Sequence, residues 1–340
     1  MTYFWSAIAL GVGCSLATQA LAVTSTSAQG EDTRAPQPLA YSDQSPTVGI
    51  YGLPRADGYT VAPADEWHAR LRVDYTSHYT EQQSANERLL FDGETTRAAL
   101  LFTRGFRGRW QASIEIPFVD HSGGFADGFI DDFHDLFSFA DGGRSQAPKH
   151  RQAFRYERDG RLALDVSDSP SGIGDARLGL KKRLSGVGEW GMSVAGELKL
   201  PTGDADRLTG SGAADLSLWG TIGNNQNGQS RWRMLAGAGG LYSGKGDVLE
   251  QQRVRGVAFG WATLGYALLR NFVVEVQAYA HGPFYEDTGI KALDGTAVAG
   301  ALGFDWQLSE RSSLDFAIIE DVNTGASPDV SFMLGLRHAF

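Results

Sequence analysis

The chain has 340 residues, 42% hydrophobic and 21% charged, with a formal net charge of -10 at pH 7. An acidic chain without a basic run cannot neutralise phosphates, which excludes a nucleic-acid partner. Cys14 is the single cysteine, so disulfide frameworks, Cys-based metal sites and Cys nucleophiles are excluded once the first residues are removed, and no cofactor is expected.

Residues 1–28 read as a secretory signal peptide. An apolar run from Ala7 to Ala22 ends in Ala20-Leu21-Ala22, too short to cross a bilayer and closed by a small-x-small triplet. Cleavage is expected near 22 or near a second small-residue site at 28. Residues 29–66 carry five of the 11 prolines (Pro36, Pro38, Pro46, Pro54, Pro63) and little periodicity. An irregular periplasmic leader or plug is expected there.

From Trp67 the period-2 signal is strong. Trp67, Ala69, Leu71, Val73, Tyr75 and Tyr79 alternate with His68, Arg70, Arg72, Asp74, Thr76 and His78, one apolar and one polar face of a long strand. Similar runs cover Thr96 to Phe106, Trp110 to Phe118, Ala176 to Leu184, Trp190 to Leu200, Ala214 to Ile222 and Trp232 to Tyr242. Val257 to Leu268, Phe272 to His281, Thr296 to Leu308, Ser312 to Ile319 and Val330 to Phe340 complete the series. Most reach the roughly 9 to 11 residues that a tilted strand needs to cross a bilayer. Beyond residue 30 no apolar stretch is long enough for a membrane helix, so a membrane protein with this sequence must close its backbone hydrogen bonds as a barrel.

The connections alternate in size. Arg104 to Gly108, Ser185 to Glu189, Asn224 to Ser230, Leu269 to Asn271 and Ser309 to Arg311 are short, whereas Thr80 to Gly93, Asp120 to Ile173, Ser243 to Gly256 and Gly282 to Asp294 are longer. Short turns on one rim and long loops on the other mark an outer-membrane barrel, with the turns in the periplasm. The expected fold is all-β: a transmembrane antiparallel up-and-down barrel of about twelve strands over residues 67–340, with a short helix in one long extracellular loop. The last strand ends on the aromatic Phe340, an assembly signal for the barrel-assembly machinery, which places the chain in the outer membrane of a Gram-negative bacterium, in contact with lipid and lipopolysaccharide. Trp67, Tyr79, Trp110, Trp190, Trp232 and Trp306 are candidates for aromatic girdles at the headgroup level.

With polar faces inward, the lumen receives Arg70, Arg72, Arg97, Arg109, Arg177, Arg231, Arg233 and Lys199 together with Asp74, Glu115 and Glu197. Mixed charge at this density pairs with itself, because an unpaired buried charge is costly. The lumen is therefore expected to be narrow or plugged, with a slight cation excess favouring anionic or zwitterionic solutes.

The longest insertion holds the least usual residues. Phe129, Phe133, Leu136 and Phe137 fall on one face of a short helix, a candidate lid or ligand contact together with His121, Ser122 and Asp127. Three chemistries compete for the segment. Asp127, Asp131, Asp132 and Asp135 supply oxygen ligands for a divalent metal, although their order does not match a calcium loop. Ser122 with His134 holds the ingredients of a Ser/His lipid hydrolase; His121 is excluded as its base because strand neighbours point to opposite faces. The third reading is turn and packing chemistry. Asp159-Gly160, between Tyr156 and Leu162, reads as a hairpin tip.

Several motifs carry a resemblance to a known family: Gly52-Leu53-Pro54-Arg55, Leu90-Phe91-Asp92-Gly93-Glu94-Thr95, His121-Ser122-Gly123-Gly124-Phe125 running to Asp127-Gly128-Phe129-Ile130, His134-Asp135-Leu136-Phe137, Gly142-Gly143-Arg144 and Ser171-Gly172-Ile173-Gly174-Asp175. The chain resembles a proteobacterial outer-membrane family of unknown function, which implies location and barrel architecture and no activity. Three functional readings stand: a narrow or gated channel for passive uptake of small solutes, a surface or envelope-integrity barrel binding lipopolysaccharide or a partner, and an outer-membrane lipid hydrolase.

Overall fold

The computed structural model describes residues 37–124, 148, 150–186, 189–224, 230–322, 325 and 328–340. Twelve strands close into one antiparallel barrel: β1 (Trp67–Gln83), β2 (Glu87–Phe106), β3 (Trp110–Ser122), β7 (Arg177–Arg183), β8 (Trp190–Lys199), β9 (Asp215–Asn224), β10 (Trp232–Ser243), β11 (Gly256–Leu269), β12 (Phe272–His281), β13 (Ala297–Gln307), β14 (Ser312–Asp321) and β15 (Val330–Ala339). Each pairs with its neighbour, and β1 pairs with β15 from His68↔Ala339 to Ser77↔Val330. Beyond that register the Phe340 amide donates to the Trp67 carbonyl at 2.8 Å. Closure leaves the barrel wall without a free edge, the condition for a sheet in hydrocarbon.

Alternation sets the two faces. Leu71 is 45% exposed while its neighbour Arg72 is 2% exposed, and Leu100, Ile116, Leu180, Leu218, Leu264, Leu302 and Leu334 continue the outer apolar belt. Water would penalise such a surface and lipid does not. Trp67, Trp110, Trp190, Trp232 and Trp306 are half-exposed at the rim of short turns, where the Arg104 guanidinium lies 5.2 Å from the Trp67 ring and the Lys182 ammonium 4.8 Å from that of Trp110. Amphipathic rings beside cations suit a headgroup layer. Tyr79 belongs to the opposite end.

At the long-loop end the fold departs from the expected pattern. Thr80 to Gly93, expected as a loop, is mostly strand: β1 and β2 continue past the apolar belt to a tight turn, paired down to Gln83↔Arg88. A second hairpin supports this extension. It comprises β4 (Ala153–Arg158) and β5 (Arg161–Val166), and β4 pairs with β2 over Glu87–Asp92. Its tip is Asp159-Gly160, both at positive φ (52° and 70°), as a two-residue hairpin turn requires. The short β6 (Ser171–Ile173) adds to β3 beside β7. The helix expected over Phe129 to Phe137 lies outside the described residues.

Residues 37–66 run inside this cylinder. The segment rises from the short-turn end, turns over at Ser45 to Tyr51 near the long loops, and descends to the β1 start, where Asp65 donates to the Gly105 carbonyl at 3.1 Å. The Ala56 amide donates to the Tyr41 carbonyl at 2.9 Å and Gln37 to Thr60 at 3.0 Å, tying the legs together. Leu39, Tyr41, Tyr51, Leu53 and Tyr59 are almost fully buried.

Outer-belt substitution tests the lipid-facing orientation. Leu218→Arg, on a side chain 60% exposed in β9, is expected to lower folding stability in vesicles by about 2–4 kcal/mol if it lies at the bilayer midplane. Equilibrium unfolding in urea reads this, and an unchanged midpoint would contradict an outward lipid face.

Candidate functional site: the occupied lumen

An irregular segment has no ladder to pair its amides, so the barrel's inner face must supply partners. Long basic side chains do most of this. Arg177 donates to the carbonyls of Tyr51 (3.0 Å) and Leu53 (2.9 Å), Lys199 to Ile50 (3.0 Å), Lys181 to Gly58 (3.0 Å) and Thr60 (3.1 Å), and Arg97 to Gly49 (3.1 Å). Ser217, Tyr279 and Gln277 donate to Gly52, Pro54 and Leu39, and Asp215 accepts from the Gly52 amide. Reach explains the residue choice: where the leader stands off the wall its carbonyls are met by Lys and Arg, and where it runs against the wall, at Gly52, the short Ser217 suffices.

The same cations are balanced by carboxylates. Lys199 contacts Asp175 at 2.5 Å and Asp215 at 3.1 Å, all three essentially buried. Two carboxylates around one ammonium leave an excess negative charge, which amides of Gly203, Ser211 and Gly244 offset by donating to them. Nearer the short turns Arg55, from the leader, shares Asp74 (3.3 Å) and Glu115 (3.8 Å) with Arg72. Arg177–Glu197, Lys181–Asp57 and Arg70–Asp315 are further inner pairs.

The other side of the lumen is richer in apolar side chains. On β10 to β12 the inward positions include Leu235, Leu241, Val257, Phe259, Trp261 and Tyr279, interleaved with the buried polar Arg233, Thr263, Glu275 and Gln277. Phe259, Trp261 and Tyr279 stack in series at 6.2 Å, and Tyr41 of the leader meets Tyr279 edge-on. Glycines shape the fit. A Cβ on Gly191 would stand 2.0 Å from the Tyr59 ring, and one on Gly223 2.9 Å, so the wall is thinned where the leader presents its tyrosine.

The long-loop mouth is covered by Leu89, Phe91, Phe154 and Tyr156 of the outer hairpins, together with Phe284, Ile290 and Leu293, which pack with the leader's turn. Phe284 stacks on Tyr51 at 4.8 Å. Tyr156 donates to Glu87 at 2.6 Å; burial and that carboxylate push its phenol well above the usual range, so it remains a donor. Towards the short turns a cavity of about 110 Å³ remains, lined by Arg55, Arg70, Arg177, Glu115, Lys181 and Trp219 among others.

Each residue expected in the lumen can now be placed. Arg70, Arg72, Asp74, Arg97, Glu115, Arg177, Glu197, Lys199 and Arg233 are on the inner face, buried or half-buried, while Arg109 and Arg231 are exposed at short turns. The charges pair with one another only in part, since several spend donors on the leader. His121 is buried and held between Thr95 (2.9 Å) and the Leu208 carbonyl (3.2 Å), with Thr95 also bonded to His78. It is a packing residue beneath Phe154. Ser122 is half-buried at the end of β3. His134, Asp127, Asp131, Asp132, Asp135, Phe129, Phe133 and Phe137 lie outside the described residues. Among the described residues no group of three or more His, Cys, Asp or Glu is placed to hold a metal ion. Arg55 and Trp219 were missed as site residues, though Arg55 stands inside the Gly52-Leu53-Pro54-Arg55 motif.

A family model described as "Protein of unknown function (DUF3187)" matches residues 14–340. The chain belongs to this family. No curated protein sequence matches it. A solved structure described as the COG4313 outer membrane channel from Pseudomonas putida F1 is similar at TM-score 0.56 and 10% identity, covering 83% of this chain and 98% of that one. The NanC porin (TM-score 0.44, 9% identity, 80% and 98% covered) and the KdgM porin in complex with disordered oligogalacturonate (0.42, 7%, 80% and 99%) are more distant. The likeness to the COG4313 structure is one of fold: this DUF3187 chain is a closed twelve-stranded antiparallel barrel, similar in fold to that outer-membrane protein.

The fit of Tyr59 against the thinned wall has a measurable consequence. Gly191→Ala is expected to destabilise the barrel by about 1–3 kcal/mol through overpacking, and Tyr59→Ala in the same chain is expected to recover most of that loss. A double-mutant cycle from urea unfolding reads the coupling; additive effects would place Tyr59 elsewhere.

Proposed function

We propose that this protein is an outer-membrane channel for small solutes whose gate is its own N-terminal segment. The observation carrying this reading is the way the leader is held. Its carbonyls take hydrogen bonds from Arg97, Arg177, Lys181 and Lys199, groups that water or a polar solute can satisfy equally once the segment leaves. A lumen meant only to be filled could use packed apolar side chains on every wall, as Leu241, Val257, Phe259 and Trp261 do on β10 and β11. The COG4313 structure, whose fold this barrel shares, is described as a channel.

In this reading residues 1–28 are a removed export signal, residues 29–66 enter from the periplasm as a plug, and residues 67–340 form the barrel, recognised by the assembly machinery through the strand ending at Phe340. The insertion with His121, Ser122 and the Phe129 to Phe137 segment acts as an external lid.

Planar-bilayer recording tests the gate. The full chain is expected to be closed most of the time with brief openings, and replacing residues 37–62 by a flexible linker is expected to raise the open fraction at least tenfold. Silence from both folded proteins would remove the channel reading. The apolar cover at the long-loop mouth favours a second one, a surface barrel that binds lipopolysaccharide, which predicts detergent sensitivity in a deletion strain together with that silence.

A further inference from the structure

The cavity on the short-turn side has a marked imbalance of hydrogen-bonding groups. Among its lining residues, six buried nitrogens have no hydrogen-bond partner within the described residues: Nε, Nη1 and Nη2 of Arg55, Nε of Arg70, Nε of Arg177 and Nε1 of Trp219. Against them stands one such acceptor, Oε1 of Glu115. The Arg55 guanidinium is near Asp74 and Glu115, at 3.3 and 3.8 Å, without a hydrogen bond to either. Buried donors of this kind are rarely left unmet in native proteins.

We infer that this cavity is a binding site for a small oxyanion, a carboxylate or phosphate, grasped between Arg55 of the leader and Arg70 and Arg177 of the wall. An acceptor-rich group answers such an excess of donors better than water, which brings as many donors as acceptors. Guanidinium nitrogens match the paired oxygens of carboxylate and phosphate, and Trp219 adds a single N–H beside its flat face. About 110 Å³ accommodates such an ion with attendant water. Side-chain exposure rises from 9% at Arg55 to 18% at Arg70 and 35% at Asp57, so the approach is from the short-turn rim.

Part of the grip belongs to the leader, and this sets the effect of binding. An ion touching both leader and wall binds the seated state alone, and a ligand that prefers one state shifts the population towards it. The oxyanion is thus a closing ligand acting from the periplasmic side. This consequence rests on the gated-channel reading; the site itself does not.

Calorimetric titration of the folded full chain with inorganic phosphate, and separately with succinate, tests the site, using potassium chloride at matched ionic strength as the blank. Saturable binding of at least one oxyanion is expected. Arg55→Gln should weaken it at least tenfold, since hydrogen bonds to charged groups contribute about 1.5–3 kcal/mol. Trp219→Phe, which leaves the leader's anchors in place, should weaken it about threefold or more, a lost neutral bond being worth about 1 kcal/mol. Arg88→Gln, on the exposed outer hairpin, should leave it unchanged. No saturable heat above the chloride blank, or an affinity unaltered in both cavity variants, would overturn the inference. Conductance separates it from the channel reading: a protein that binds phosphate and never conducts retains the site and loses the channel, whereas one that conducts and binds neither oxyanion retains the channel and loses the site.

Discussion

A peptide group without a hydrogen-bond partner is costly to bury, and both the wall and the segment inside it are arranged to supply partners. In the wall the solution is closure: β1 reaches β15, and the ladder has no end. Inside, the leader has neither a ladder nor free access to bulk water along its length. Many of its carbonyls are met by side chains of the wall, long ones such as Arg97, Arg177, Lys181 and Lys199 where the leader stands off it and the short Ser217 where it runs close. The two solutions are linked, because the alternation that turns Leu71 to lipid is what turns Arg72 to the lumen.

Cations drawn inward for that reason require carboxylates, and the interior becomes divided. β1 to β3 and β7 to β9 carry the ionic side; β10 to β12 carry the aromatic one. The leader matches both. Its Gly49–Leu53 stretch takes hydrogen bonds from the ionic wall, while Leu39 and Tyr41 pack in the core with Trp261 and Tyr279. Removing the Lys199 ammonium would leave Asp175 and Asp215 without their shared cation, a loss of about 3–5 kcal/mol typical of an uncompensated buried charge.

Much of the barrel was legible in the sequence because a lipid-exposed strand writes its orientation in every second residue. β1, from Trp67 to Tyr79, is the plainest case. Legibility failed where both faces are apolar: Leu235, Leu241, Phe259 and Trp261 point inward, yet Met234 and Leu264 beside them point outward, and periodicity cannot rank two hydrophobic faces. It also failed over Thr80 to Gly93, whose strand character comes from pairing with β4, a partner more than 60 residues away in sequence. The course of residues 37–66 has no periodic signature at all. Its traces are single residues: Gly191 and Gly223, which cede space to Tyr59, and Gly52, whose Cβ would sit 3.0 Å from that of Asp215. Their meaning depends on contacts between distant segments. His121, a histidine in a distinctive motif, is held by Thr95 and the Leu208 carbonyl, partners that its place in the sequence does not announce.

The leader is not held evenly, and the unevenness bears on how it could move. Its turn, Ser45 to Tyr51, is fixed both by apolar contact with Phe284 and Tyr285 and by buried hydrogen bonds to the carbonyls of Thr47, Gly49, Ile50 and Tyr51. The descending leg from Arg55 to Ala62 has one large anchor, Tyr59, and otherwise depends on Lys181, Gln111 and the Arg55 ion pairs. These lie beside the cavity, where water can compete, and a hydrogen bond exchanged for one to water contributes little net free energy. In the proposed gate, opening would begin at the short-turn end, with the Arg55–Ala62 leg loosening while the turn stays seated. Complete withdrawal would require the buried turn to give way as well, which would make a partly open intermediate the natural first state.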